Sequence, residues 1–214
     1  MTKGVEVPSR RDLRRERHHD LSRTQLLDAA ERVFGEKGFY EATLNEIAEL
    51  ADYSVGSVYS FFEGKEDLFS QVFVRRGEEF MPAMRDIVEG TGSATDKLHR
   101  LVDFQVGFFR DHRRFARLFL RYANVALVAE PSELDASIAG NYDESMRLES
   151  GLISRGQRSG EFHPGDATVL AHLFSGLIAS YQALDPSVVS DEPDPPERLS
   201  LVDLHQLVAR AFEV

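Results

Sequence analysis

The strongest constraint on the fold of this chain lies between Thr43 and Lys65, where two helix starts and two turns share one short segment. Residues 43–46, TLNE, form a capping box, in which the threonine caps the helix and the glutamate bonds back to it. Residues 52–54, DYS, predict a turn, and Ser54 is placed to cap the next helix. Turns this tight indicate a compact unit of about the size of a helix-turn-helix module.

A longer amphipathic helix precedes this segment. Ser22 and Gln25 match another capping box, which predicts that the helix begins at Ser22. Gly38 is typical of the position that follows a helix end, and Gly64 is expected to close the third helix. The apolar residues that recur at helical spacing between these signals are Leu26, Leu27, Ala30, Val33 and Phe34.

The remainder of the chain also has helical periodicity, and no segment shows the alternation of a strand. We expect a helix from Lys65 toward Glu89 that is kinked or split at Pro82, because proline removes a backbone donor. The proline-rich segment 186–196 predicts a mobile linker. The fold class is therefore all-α. The remaining helices are expected at 95–111, 113–128, 132–159, 166–184 and 197–213.

The charge of the chain argues against nucleic-acid binding until its distribution is considered. Lys and Arg number 25 against 36 Asp and Glu, a net charge of -11, whereas DNA affinity depends on phosphate contacts. Residues 1–23, however, hold seven basic and four acidic residues, and most of the acidic excess lies beyond residue 65. This basic arm is interpreted as a phosphate-binding segment, and a tail without a partner is the alternative.

Several function classes have no support in the sequence. No stretch of 18 apolar residues predicts a membrane span, and no secretory signal precedes the first helix, so a cytoplasmic location is expected. A P-loop, a nucleophile elbow, a dinucleotide fingerprint and an acid paired with His at catalytic spacing are absent, so neither an enzyme nor a cofactor is expected. Cysteine is absent. The histidines lack metal-ligand spacing, so no metal is expected; those considered are His99, His112, His163, His172 and His205.

From Arg23 to Leu68 the chain resembles the DNA-binding domain of the tetracycline-repressor (TetR) family. The ordered segments LLDAAERVFGEKGF, ATLNEIAELA, YSVGSVYSFF and GKEDL carry the resemblance. It implies an N-terminal three-helix helix-turn-helix DNA-binding domain and a C-terminal helical ligand-binding and dimerisation domain. The implied function is a homodimeric repressor that releases its double-stranded DNA operator on binding a small lipophilic or aromatic effector. The expected domains are a flexible basic arm (1–21), the helix-turn-helix domain (22–65) and the ligand-binding domain (66–214).

The candidate DNA contacts lie on the third helix and beside it. Gly56 permits close approach, hydroxyl groups can bond bases or phosphates, and Val55 can meet a thymine methyl group. Tyr59 and Lys65 match family residues, and Thr43 starts a helix whose N-terminus attracts phosphate. Packing of Gly56, a solvated Ser60 and a partnerless Lys65 are the alternatives. The full set is Arg23, Thr43, Ser54, Val55, Gly56, Ser57, Tyr59, Ser60 and Lys65, whereas Val58 and Phe62 are expected in the core.

The third helix has no Arg or Lys, so the bidentate contact of arginine with guanine is absent from it. We therefore expect DNA affinity to depend on phosphate contacts and on arginines of the basic arm.

Aromatic residues concentrate in segments 101–122 and 172–182. Most are expected to be core, but in the TetR family a cavity opens between these helices, with apolar walls and few polar anchors. Arg117 and Arg121 would meet an anionic end of the ligand, and ion pairs with nearby acids are the alternative. The other pocket candidates are Phe80, Met84, Phe104, Phe108, Phe119, Tyr122 and Met146.

The last two helices carry small residues beside leucines, and small side chains let helices approach closely. By resemblance, these helices from two subunits would form an isologous four-helix bundle. An intramolecular core is the alternative. The predicted interface residues are Ala171, Ser175, Gly176, Ala179, Leu201, Leu204 and Val208.

Two other functions remain open at this point. An acidic helical adaptor without DNA binding would explain the net charge but not the ordered N-terminal motif. An activator of the same fold is equally compatible with these residues, because they do not encode the sign of regulation.

Overall fold

The computed structural model describes residues 9–126, 136–190 and 199–214, and this part of the chain is helical apart from turns and one isolated bridge between Phe162 and Glu213. The all-α prediction is confirmed. Described in chain order, the helices are α1 (Arg10–Glu41), α2 (Leu44–Leu50), α3 (Val55–Val58), α4 (Lys65–Glu89), α5 (Ala94–Asp111), α6 (Arg113–Ala126), α7 (Ala136–Ser159), α8 (Ala167–Leu184), α9 (Pro186–Val189) and α10 (Leu201–Phe212).

Helix α1 begins at Arg10, so the predicted start at Ser22 is wrong. Ser22 lies inside the helix, where its hydroxyl donates to the carbonyl oxygen of His18 at 2.9 Å. Residues 10–21 include five Arg and two Leu, which favour helix and extend it past the capping signal. Residues 10–21, expected to form a flexible arm, are therefore helical.

The turn signals around the second and third helices are largely confirmed. Thr43 and Glu46 form the reciprocal capping box, and Ser54 caps α3 by accepting from the N–H of Ser57. Asp52 has φ 62°, a left-handed conformation that Asp tolerates in tight turns. Gly38 interrupts α1 with φ 80°, as its place after the apolar pattern predicts.

Helix α3 is shorter than expected, and Gly64 precedes α4 instead of ending α3. The hydroxyl of Ser60 donates to the carbonyl oxygen of Ser57 at 2.6 Å. Serine side chains that bond local backbone compete with helix continuation, which accounts for the turn that follows Val58.

Two hydrophobic cores organise the described chain. The first joins α1, α2, α3 and the start of α4 to α6, through residues such as Phe34, Phe69 and Leu118. The second joins the end of α4 to α5, α7, α8 and α10, through residues such as Met84 and Phe174. Because the first core crosses residue 65, packing does not mark the predicted domain boundary, which stays a prediction.

The structure bears on two expectations about prolines. Helix α4 continues through Pro82 as one helix, so it is not split there, and a kink at Pro82 stays a prediction. The linker predicted at 186–196 begins with the short helix α9, in which Val188 is fully buried and Asp185 accepts from the N–H of Ser187 at 3.0 Å. Residues 191–196 of that linker, and the expected helix ends at 127–128, 132–135 and 197–198, lie outside the described residues.

Helix α8 is long and apolar enough, by length and composition, to be a candidate membrane span. Ala171, Phe174 and Ile178 pack into the second core, as in a core helix of a soluble protein, which passes the same test. Only 28% of the helix is buried, and Val169 and Leu173 are exposed. This helix therefore has an apolar face that the described part of one chain leaves uncovered.

Gly156 is a packing constraint that can be tested by substitution. A Cβ atom there would lie 2.2 Å from Cδ2 of the buried Phe162 ring. We expect Gly156→Ala to lower the free energy of unfolding by about 1–3 kcal/mol, because overpacking forces the ring to move. Gly107→Ala is the control, since no atom lies within 4 Å of its added Cβ. Urea denaturation measures both, and an equal effect of the two substitutions would contradict the account.

Candidate functional site

The predicted DNA contacts form an exposed edge of the N-terminal unit. Thr43 and Gly56 are exposed, and Tyr59 has 59% of its surface accessible. Val58 and Phe62 are buried in the first core, as predicted. The structure thus turns one side of the α3 segment inward and leaves its polar side for contact with a partner, while the DNA roles of these residues stay predictions.

The hydroxyl groups on this edge are held by local hydrogen bonds. Ser54 Oγ and Ser57 Oγ are 2.8 Å apart, and Ser60 Oγ donates to the backbone of α3. The Ser60 hydroxyl proton is therefore committed, whereas its oxygen can still accept. Such acceptors suit the amino groups of cytosine or adenine better than phosphate oxygens.

Two predicted contacts, Lys65 and Arg23, are directed into the N-terminal unit. Lys65 Nζ donates to the carbonyl oxygen of Ala42 at 3.1 Å and lies 4.5 Å from the ring centroid of Phe39. Arg23 donates to Gln71 Oε1 at 2.5 Å and lies over the Phe62 ring. Both cations hold helices of the unit together, and their DNA contacts stay predictions.

A basic groove runs between the N-terminal turns of α1 and the α3 segment. Its α1 side carries Arg11, Arg14, Arg15, His18 and His19, and its other side includes Tyr53, Ser57, Ser60 and Phe61. The rings of His19 and Phe61 are 4.7 Å apart, which places α1 directly beside α3. Arginines of this segment were predicted near DNA, but the two histidines were not, because the helix was expected to begin at Ser22. The available signal was that His18 and His19 follow Arg15 by three and four residues, a spacing that places all three on one side of a helix.

A cavity of about 100 Å³ lies between α4, α5, α6, α7 and α8. Phe80 and Phe119, both predicted pocket residues, line it together with Phe73, Phe109 and Phe115. The polar lining was not predicted, because it comes from four helices and has no local sequence pattern. Its members are Arg76, Gln105, Asn141, Tyr142, Ser145, Ser175 and Gln182.

Four other predicted pocket residues are packed beside the cavity without lining it. Phe104 and Phe108 contact the Phe80 ring at centroid distances of 4.9 and 5.0 Å. Met84 is fully buried and Met146 nearly so in the second core. Phe104 and Phe108 are partly buried against the two cores, so none of these four residues faces the cavity.

The three polar pocket candidates lie elsewhere, which corrects their predicted location. Arg117 Nε donates to the carbonyl oxygen of Val188 at 2.8 Å. Arg121 Nη2 donates to the carbonyl oxygen of Glu36 at 3.4 Å, and the N–H of Phe39 donates to the Tyr122 hydroxyl at 2.8 Å. The ends of α9 and of the first part of α1 leave backbone groups without helical partners, and these side chains satisfy them.

Arg76 connects the cavity to the N-terminal unit. It lines the cavity on α4, and its Nε and Nη2 donate to the two carboxylate oxygens of Glu31 on α1 at 2.9 and 3.0 Å. Its Nη1 donates to Glu79 at 2.8 Å. Burial lowers the pKa of Arg76, but the hydrogen bonds to Glu31 and Glu79 outweigh it and raise the pKa overall. The guanidinium is therefore charged and its charge is compensated.

The predicted dimer residues divide between four environments. Ala171, Leu204 and Val208 are fully buried in the core of their own chain, which corrects their assignment to an outer face. Ser175 and Ala179 line the cavity, Leu201 is partly buried, and Gly176 is exposed. The exposed apolar residues of α8 and α10 are instead Val169, Leu173, Val202 and Leu207. Helical periodicity predicts which residues share one face of a helix, but it does not predict which face points outward.

A histidine pair ties α10 to α5. His99 Nδ1 and His205 Nδ1 are 2.6 Å apart, so one of them donates and the other accepts, and His205 Nε2 is 2.7 Å from Asp103 Oδ1. Within the described ranges, no group of three or more such side chains is arranged to hold a metal ion.

Glu149 is a buried acid behind the cavity wall. Its Oε1 accepts from Gln105 Nε2 at 3.0 Å, and its Oε2 has no hydrogen-bond partner among the described residues. Burial raises the pKa of Glu149 to about 8, against a smaller lowering by the Gln105 hydrogen bond. The side chain is therefore protonated at neutral pH, which avoids an uncompensated charge in the core.

This raised pKa makes the stability of the fold depend on pH. Between about pH 4.5 and 8 the unfolded chain ionises Glu149 while the folded protein keeps it protonated. The free energy of unfolding should therefore fall by about 1.4 kcal/mol per pH unit in this window from this group alone. We expect Glu149→Gln to gain stability over the parent progressively from pH 5 to 8 in urea denaturation.

The control for this substitution is Glu144→Gln on the same helix. Glu144 is partly exposed and pairs with Arg85. It should show no stability gain that grows with pH. A difference between Glu149→Gln and the parent that stays constant across the pH series would contradict the assignment.

Comparison with known proteins identifies the architecture. Residues 26–72 match the family model of the bacterial regulatory proteins of the tetR family. A fatty acid metabolism regulator protein of Bacillus subtilis (strain 168) is 25% identical over 158 residues, which cover 72% of this chain and 78% of that protein.

Two solved structures share the fold. The transcriptional regulator FadR from Bacillus subtilis, in complex with stearoyl-CoA, aligns with a TM-score of 0.69 at 22% identity over 87% of this chain and 95% of that one. AibR, in complex with isovaleryl coenzyme A and operator DNA, aligns with a TM-score of 0.72 at 16% identity over 89% and 98%. Residues 26–72 therefore form a domain of the tetR family of bacterial regulatory proteins, and the chain as a whole shares the fold of these transcriptional regulators.

Proposed function

We propose that this protein is a cytoplasmic transcriptional regulator that binds operator DNA as a homodimer and releases it when a small molecule occupies the cavity. The observation that carries the proposal is Arg76, which lines the cavity and at the same time binds Glu31 of the N-terminal unit. A ligand that moves Arg76 changes how α1 is held on α4. The position of the DNA-reading edge therefore depends on what the cavity contains.

The DNA side of the proposal rests on two adjoining surfaces. The exposed edge around Gly56 and Tyr59 offers backbone and hydroxyl groups, and the basic groove adds Arg11, Arg14 and Arg15 next to it. Phosphate contacts by arginine supply affinity without reading sequence, whereas contacts to base edges supply specificity. The arginines of the basic groove would therefore supply the phosphate contacts that α3, which has no Arg or Lys, lacks.

The dimer is proposed to form through the exposed apolar face of α8 and α10. Val169, Leu173, Val202 and Leu207 are between 40% and 65% exposed. A self-complementary patch on two copies gives an isologous interface. Two reading edges must then match half-sites about 34–36 Å apart, or a multiple of it, so a small change in their separation lowers affinity.

The similarity to ligand-bound regulators supports the proposal that this protein binds both DNA and a small molecule. AibR is described in complex with both a coenzyme A thioester and operator DNA. We propose a repressor, and an activator of the same fold is the alternative. An acidic adaptor without DNA binding is disfavoured by the basic groove, which would have no role in it.

A salt series of mobility shifts with fragments of the chain's own upstream DNA separates these functions, and an absence of any shift at low salt would overturn DNA binding.

The basic groove gives a direct prediction for DNA binding. Replacing Arg11, Arg14 and Arg15 together with Ala should weaken binding to all sequences alike and reduce the salt slope by up to about 2.7, at roughly 0.9 per lost phosphate contact. Fluorescence anisotropy over a salt series measures both quantities. The control changes three exposed arginines of the C-terminal part, Arg147, Arg158 and Arg210, to Ala, with the same change in net charge. An equal slope in the two triple variants would contradict a role for the groove.

The link between the cavity and the reading edge gives a second prediction. Arg76→Met should lower the free energy of unfolding by about 3 kcal/mol, since it leaves a buried carboxylate with one partner fewer. It should also weaken operator binding, measured well below the unfolding temperature, although residue 76 lies outside the reading edge. Arg85→Met on the same helix is the control, because its partly exposed ion pair with Glu144 is worth about 0–1 kcal/mol. Unchanged operator affinity in Arg76→Met would show that the link is structural only.

A further inference from the structure

The cavity lining includes a buried hydrogen-bond donor for which the described part of the chain supplies no acceptor. Gln182 on α8 lines the cavity and is only 2% exposed, and its Nε2 has no partner among the described residues. An unpaired buried donor costs about 1–3 kcal/mol of stability. A cavity ligand that supplies an acceptor would recover this free energy on binding.

The remaining lining restricts the charge of such a ligand. The walls are formed by phenylalanines with Met81 and Ile178, and the cationic lining residue Arg76 is already bonded to two carboxylates. Arg117 and Arg121, which could have received an anion, bind backbone carbonyl groups outside the cavity. Glu149, behind the wall, is buried and has no cationic partner among its described contacts. A carboxylate would thus lose its hydration without gaining an available cation.

We propose that this cavity binds a small uncharged molecule with an apolar body and a hydrogen-bond acceptor, typically a carbonyl oxygen, which accepts from Gln182 Nε2. The proposal rests on the proposed function, since it specifies the chemical class of the effector. Gln182 is the residue that sets specificity: it separates a ketone or ester from the hydrocarbon of the same shape. The aromatic walls select for size and apolar character.

The volume of the cavity determines the size of the small molecules that should be tested first. Apolar cavities of about 150 Å³ accept benzene, so about 100 Å³ is suited to a five-membered ring. Cyclopentanone carries the acceptor, and methylenecyclopentane has nearly the same shape without it. Cyclopentanecarboxylate places a charge on a ring of the same size.

The experiment measures binding of the three probes to the full chain by ligand-observed NMR, in the absence of DNA. Cyclopentanone should bind at least about tenfold more tightly than methylenecyclopentane, since filling an unpaired donor is worth more than a typical hydrogen bond. Cyclopentanecarboxylate should show no binding at the same concentrations. Equal affinity of the ketone and the hydrocarbon, preferential binding of the carboxylate, or no binding of the ketone would each overturn the proposal.

Substitution of Gln182 assigns the effect to one side chain. Gln182→Met keeps a similar length but removes the donor, so the preference for the ketone should be lost or reversed, because its carbonyl would lose hydration without gaining a partner. The unfolding temperature should not fall, because the variant removes an unpaired donor from the core; this checks that the variant is folded. Gln157→Met is the matched control: its amide bonds the backbone of His163 and Gly165 away from the cavity, and the ketone preference should persist. A preference that survives in Gln182→Met would contradict the assignment.

Operator binding is measured separately, so the two proposals fail in different ways. Selective ketone binding by a chain that never shifts DNA would retain the cavity assignment and reject the regulator. Operator DNA that is bound by the chain but released only by charged or much larger molecules would retain the regulator and reject this effector class.

Discussion

A buried carboxylate, that of Glu31, sets the arrangement of the rest of the molecule. It is 6% exposed in the middle of α1 and is bonded by Arg75 and Arg76 from α4. An ionised group at this depth is tolerated only when it is paired, so the cluster fixes which face of α1 meets α4. The apolar contacts between the two helices specify burial, whereas the ion cluster specifies their register. The same arginine then forms a wall of the cavity.

This arrangement gives α1 a double role. Its first turns carry the basic groove and its later turns carry Glu31, and the twenty residues from Arg11 to Glu31 span about 30 Å at the helical rise. A helix of this length transmits a small rotation at one end as a displacement at the other. With a helix start at Ser22, the basic groove would lie on a segment that is not rigidly joined to Glu31. The observed start at Arg10 is therefore what connects the cavity to the DNA-binding surface under the proposed function.

The accuracy of sequence reasoning on this chain followed the range of the interactions involved. The capping box at Thr43, the left-handed turn at Asp52 and the inward side of α3 depend on neighbours within a few residues, and they were predicted. Arg117 and Arg121 were assigned to the cavity because they are cationic and near aromatic residues, but they cap helix ends far away in sequence. Gln182 and Arg76 were missed because a cavity built from five helices leaves no periodic pattern in any of them.

Helix α8 has two faces, and this explains why its small residues were misread. Ser175, Ala179 and Gln182 face the cavity, while Leu173 and Gly176 face outward. Small side chains make room for a ligand on one face and for close helix approach on the other. Under the proposed function, a ligand that displaces α8 would alter the dimer interface as well as the Arg76 contact with α1. Both changes would alter the separation of the two reading edges, which must match the spacing of the DNA half-sites, so one cavity could act on DNA affinity by two routes.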